Sequence, residues 1–179
     1  ALCFVVGAFI LIFGLEAFRA ARFVLLFLLF MVPVPTALMD GIIRILQVGS
    51  TEFVALLFAI TPVPVLREGF VFHLPNISIE VAPQCSGIRS SMALVITSVL
   101  AGHMFLKSGW KKSLLVLAVI PVTMFKNGIR IITLSLFAVY VDTRILTNSA
   151  LHTDGGIVFF VLALLLMAPI LFLLRRSEK

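Results

Sequence analysis

The chain has 179 residues, of which 61% are hydrophobic and only 12% charged, with a mean hydropathy of +1.22. A soluble domain is about half apolar and about a quarter charged, so this chain lacks the polar skin of a soluble fold, and it is far too apolar for disorder. It reads as an integral membrane protein with room for several helical spans of about 20 residues each. The net charge is +6 and the pI about 10.0. The basic residues sit in short clusters between apolar runs, the pattern of positive cytoplasmic loops rather than of a nucleic-acid binder.

In chain order, the sequence opens inside an apolar run, ALCFVVGAFILIFGL, without an initiator Met or a basic leader. That excludes a good signal-peptide reading and suggests a fragment or a late start. Five segments read as spans: about 1–15, 23–39, 86–106, 113–140 and 153–174. The second contains Pro33 and Pro35, so a break near the membrane surface is expected there. Arg19 and Arg22 separate the first two spans, and Lys107, Lys111 and Lys112 form the KSGWKK turn between the third and fourth. Arg175, Arg176 and Lys179 close the chain. These three places hold more than half of the 14 basic residues and are assigned to the cytoplasm of a plasma (inner) membrane, with a cytoplasmic C-terminus. Trp110 fits an interfacial aromatic.

Parity then requires residues 40–84 to begin and end outside. The stretch at about 40–60 carries Asp40, Arg44 and Glu52 among apolar residues and predicts an amphipathic helix in the outer interface, or a re-entrant one. The stretch at about 61–84 alternates in FVFHL and ISIEV around Pro75-Asn76, which predicts a short β-hairpin. The expected fold is a single all-α polytopic transmembrane domain over residues 1–179, a helical bundle with a small extracytoplasmic β-hairpin cap. The two cysteines, Cys3 in the opening apolar run and Cys85 in PQCSGIR, do not suggest a disulfide framework.

Helix rise supplies the next inference. Counting from the basic turns, Cys85 stands about 33 Å from Lys107, Arg130 about 28 Å from Lys111, and His152 about 34 Å from Arg175. The hydrocarbon core is about 30 Å thick. Three different helices thus carry a thiol, a guanidinium and an imidazole to the outer interface. A thiolate is a nucleophile favoured by nearby positive charge and by a helix N-terminus. Histidine shuttles the proton to a leaving amine and from an incoming nucleophile, and arginine stabilises an oxyanion. Together they make a thiol acyl-transfer site. Singly, each has a blander reading: a packing cysteine, a snorkelling arginine and a polar interfacial histidine.

Five neighbours support the set. Ser86 and Gly87 can shape an exposed N-cap turn, and Arg89, one turn from Cys85, can lower the thiol pKa or meet a lipid phosphate. Asn127 precedes Arg130 by one turn and either orients it or makes an interhelical hydrogen bond. Asp154 can hold the His152 imidazole or cap a helix. Lys126 is expected to snorkel outward.

The blocks VAPQCSGIRSS, KNGIRIITLS and LHTDGG resemble the signature blocks of the exosortase/archaeosortase family, and REGFVFHLPNISIEV resembles the stretch before the Cys block in bacterial members. The resemblance covers about residues 23–174. It implies a membrane thiol peptidase or transpeptidase that processes membrane-anchored proteins bearing a C-terminal sorting signal: a short motif such as PEP, an apolar span and a basic tail. Carried over by residue, Cys85 matches the nucleophile, Arg130 the arginine and His152 the acid/base. Family members usually have more spans than the five read here, so N-terminal substrate contacts are in doubt. Partners are then the protein substrate and the lipid bilayer, with no nucleic acid and no cofactor. A metal site is disfavoured, because Cys85 and His152 find only His73 as a further ligand at that level. The competing classes are a non-enzymatic membrane assembly factor or scaffold for surface polymer or protein export, and a small-solute transporter. The latter calls for internal repeats, which are not seen. Acyl transfer in place of proteolysis uses the same thioester logic.

Overall fold

The computed structural model describes residues 2–75, 77–83, 88–140 and 155–178, with the side chains of Leu2 and Arg89 outside that description. The described chain is a helical membrane protein with one small antiparallel sheet. Four helical stretches are long and apolar enough to cross a bilayer: Cys3–Met31, Thr36–Phe58, Gly109–Tyr140 and Gly156–Arg176. The chain divides into two compact units, residues 1–39 and 40–179.

The first unit is mostly helix. Helix α1 spans Leu2–Phe27 and continues into a short 3-10 turn at Leu28–Met31. A break was expected at Arg19 and Arg22, but both are helical, and the helix instead kinks at Gly14, where φ is 81°. The reason is local. Glu16, Ala17, Ala20 and Ala21 are good helix formers with no breaker among them, whereas glycine takes positive φ without a Cβ clash. The second expected break does fall at the Pro33–Pro35 stretch, which is non-helical.

The second unit is built from helix α2 (Thr36–Phe58, from Asp40 onward), strands β1 (Leu66–Glu68), β2 (Val71–Leu74) and β3 (Ile77–Glu80), and helices α3 (Ile88–Phe105), α4 (Gly109–Leu117), α5 (Val119–Tyr140) and α6 (Gly155–Arg176). The expected hairpin is present as β2–β3, with Phe72 opposite Ile79 and Leu74 opposite Ile77. A third strand, β1, extends it through Gly69, whose φ of 61° suits glycine. Alternation along β2 buries Phe72 and Leu74. They pack with Val81, with Val54 and Phe58 of α2, and with Ile131 and Ile132 of α5. The sheet is thereby seated on two helices. An exposed ion pair, Arg67 to Glu52 at 2.6 and 3.1 Å, ties β1 to α2. The charged bond with Glu52 raises the Arg67 pKa above its ordinary value.

The 40–60 segment, expected in the outer interface, belongs to a 23-residue helix long and apolar enough to cross a bilayer. Its polar residues Gln47, Ser50 and Thr51 are buried. A hydropathy reading counts such groups as water-facing, whereas here their partners are within the protein. Helix α3 runs antiparallel to α4–α5. Gly102 lies against Lys112 and Leu115 at one end, and Ser90 meets Lys126 at the other. A second core, Leu94, Leu106, Leu115, Val119, Val122, Ala163 and Met167, joins α3, α4, α5 and α6.

Candidate functional site

Beneath the sheet, α2 and α5 meet through a polar seam. Gln47 donates from Nε2 to the Val81 carbonyl at 2.7 Å, holding the chain that descends from β3 against α2. Thr51 Oγ1 donates to the Gln47 carbonyl at 2.8 Å. Asn127, fully buried, donates from Nδ2 to Ser50 Oγ at 3.1 Å. Two glycines permit the approach. Gly49 faces the Met124 thioether, and a Cβ on Gly128 would stand 3.1 Å from Phe53 Cβ. Phe53 and Phe125 complete the crossing edge to face.

The other side of α5 faces α3. Lys126, only 4% exposed, extends Nζ to Ser90 Oγ at 2.5 Å. It turns inward, against the snorkelling expected of it, because an acceptor on α3 lies within reach and the helix face is set by packing. Ser91 donates to the Ile88 carbonyl at 2.8 Å, closing the first turn of α3. Arg130, one turn beyond Lys126, is half-buried, and its buried Nε has no hydrogen-bond partner among the described residues. Ser90 and Lys126 set α3 and α5 in antiparallel register near the start of α3, and Arg130 lies one turn further along α5.

Of the expected site residues, Arg130 and Asn127 are described, and Asn127 makes the interhelical bond that was one of its two readings. Arg89 is helical at the start of α3. Cys85, Ser86, Gly87, His152 and Asp154 lie outside the described residues. Lys126 was expected only to snorkel, and Ser90, Ser50 and Gln47 were not singled out. One signal for them was available: Lys126 and Arg130 are four apart and share a helix face. Lower in the bundle, α3, α4 and α6 border an open apolar cleft of about 160 Å³, lined by Leu94, Thr97, Ala101, Leu115, Leu164 and Met167 among others.

The described residues make a multi-pass helical membrane protein with a small sheet seated on two helices, a buried lysine and a half-buried arginine on one of them. The family model described as transmembrane exosortase (Exosortase_EpsH) matches residues 1–169, and the chain belongs to that family of membrane-embedded, sorting-related enzymes. No curated protein matches the chain, and no solved structure does.

Proposed function

We propose that this exosortase-family chain is a thiol peptidase or transpeptidase that cleaves C-terminal sorting signals of the PEP type from exported, membrane-anchored proteins. In this reading Cys85 is the nucleophile, Arg130 the oxyanion donor and His152 the general acid and base. Ser86, Gly87, Arg89, Asn127 and Asp154 support them. The observation that carries it is the buried Nε of Arg130, which has no hydrogen-bond partner among the described residues and lies one turn along α5 from the Lys126–Ser90 bond. A guanidinium with an unused donor inside a membrane bundle suits an oxyanion that exists only during reaction.

The thiolate of Cys85 attacks the scissile carbonyl carbon, and the C–O π electrons move onto oxygen, facing Arg130. The oxyanion collapses, the C–N bond breaks, and His152 gives its proton to the departing amine. A thioester remains. Water or an acceptor amine then attacks it, loses its proton to His152, and expels the thiolate. The apolar cleft along α3, α4 and α6 suits an apolar side chain of such a substrate's span, and a span lying against that face raises the local concentration of the scissile bond. The active site opens to the extracytoplasmic side, and the Lys107–Lys112 turn and the C-terminus face the cytoplasm, in keeping with the basic clusters.

The test is co-expression with a tagged reporter carrying a sorting-type tail, read by mass spectrometry of the new terminus. Cys85→Ala is expected to abolish processing with the protein still folded. Arg130→Ala is expected to slow it by about 10²–10³-fold, the usual cost of losing an oxyanion donor. Unchanged processing in Cys85→Ala favours the scaffold reading instead.

A further inference from the structure

Two cations four residues apart, Lys126 and Arg130, point from α5 into the interior of a membrane protein. Buried charges are normally paired, because desolvation costs more than a single neutral hydrogen bond returns. Here the ammonium has three donors, and among the described residues only Ser90 Oγ accepts from it. The Arg130 Nε donor has no acceptor among them at all. The described ion pairs, Arg67–Glu52 and His73–Glu68, both involve the sheet, and neither cation has a carboxylate partner among the described residues. Their like charges also repel each other. A purely structural role does not explain this pairing. A neutral hydrogen-bonding side chain at residue 126 would satisfy Ser90 at lower cost.

We propose that Lys126, steadied by Ser90, and Arg130 together form a carboxylate-binding subsite for the peptide on which the chain acts. The proposal rests on the peptidase reading for its ligand class, since a peptide offers a carboxylate in two ways: an acidic side chain, or the α-carboxylate left after cleavage. Either form accepts hydrogen bonds from the buried ammonium and from the buried Nε of the half-buried guanidinium, and neutralises one of the two charges. Lys126 is thus a specificity residue, while Arg130 serves both the subsite and the oxyanion.

The experiment uses the purified full chain in detergent micelles with Cys85→Ala, so that binding is read without turnover. Three short fluorescein-labelled peptides differ at one place each: Glu with a C-terminal amide, Gln with a C-terminal amide, and Gln with a free C-terminal carboxylate. Fluorescence anisotropy is expected to show one acid-bearing peptide binding about tenfold or more tightly than the all-amide one. Whichever acid is preferred identifies its source. Adding Lys126→Met is expected to shrink the preference to about twofold or less, and Lys126→Arg to retain most of it. Equal binding of all three peptides, binding of none, or a preference that survives Lys126→Met overturns the subsite. The first comparison needs no change at Lys126, so it decides even where Lys126→Met does not fold. Acid-selective binding without Cys85-dependent cleavage sinks the peptidase reading alone. Cys85-dependent cleavage without acid selectivity sinks the subsite alone.

Discussion

The two faces of the α5 bundle are held together by different physics. Toward α2 and the sheet, the contact is polar and close, with Gln47, Ser50 and Asn127 bonded across it and glycines at the crossing. Toward α4 and α6, the contact is a dry cluster of Leu94, Leu115, Val119, Ala163 and Met167, with a cleft left open beside it. Lipid tails are as apolar as leucine, so the second face gains little from hydrophobic transfer and is held by packing alone. The first face gains direction. Its hydrogen bonds specify which residue meets which, and that precision is what a reactive site needs from its support. The difference teaches that polarity in this bundle is concentrated where register matters.

The largest break in that contrast is expected at the glycines. Gly128→Val drives a branched side chain into Phe53 and is expected to cost about 1–3 kcal/mol, the usual price of overpacking. Gly102→Ala, on the dry side, meets Leu115 at an ordinary 3.6 Å. It is expected to leave stability unchanged or raise it by up to about 1 kcal/mol through helix propensity. Denaturant titration in mixed micelles measures both. Equal effects of the two substitutions erase the distinction drawn above.

A smaller effect is expected for the seam's hydrogen bonds taken singly. A double-mutant cycle on Asn127→Ala and Ser50→Ala is expected to return a coupling of about 0.6 kcal/mol, the average for such bonds inside membranes. The register they set is the more sensitive readout. A disulfide-trapping or spin-label distance across α2 and α5 is expected to broaden in the double variant while a pair across α3 and α4 stays narrow.

The smallest effect belongs to the far end of the dry face. Glu178 accepts from the backbone N–H groups of Lys107 and Ser108 at 2.9 and 2.8 Å, and these bonds hold its carboxyl below the ordinary value of 4.5. A depressed carboxylate contributes stability above its unfolded pKa, and loses that contribution as pH falls through its folded pKa. The protection of the Lys107 and Ser108 amides, measured relative to their intrinsic exchange rates at each pH, is therefore expected to fall on acidification through that range. Glu178→Gln is expected to remove the pH dependence. Part-exposed at the surface, this clasp affects local opening rather than global stability.

Much of the architecture was legible in one dimension. An apolar excess too large for any soluble surface meant a helical membrane protein, and the alternation in FVFHL and ISIEV marked a hairpin. The third strand was missed because LRE is short, polar and exposed, and shows no alternation to detect. The break in α1 was misjudged at Arg19 because charge was weighed above propensity, whereas Gly14 was the only residue nearby free to leave the helical basin. The role of residues 40–60 was obscured by Asp40, Arg44 and Glu52, which lowered the apolar score of a helix whose other polar groups bond internally.

What the sequence determined by itself was the solvent of this protein, because composition and residue type do not depend on neighbours far along the chain. What only the tertiary structure decided was direction: that Lys126 turns to Ser90 and not to lipid, that Gln47 reaches Val81, and that the Arg130 Nε is buried without a partner among the described residues. A helix presents every face at once in one dimension. Which face is inside is settled only when residues dozens of positions apart, such as Ser50 and Asn127, come within hydrogen-bonding distance.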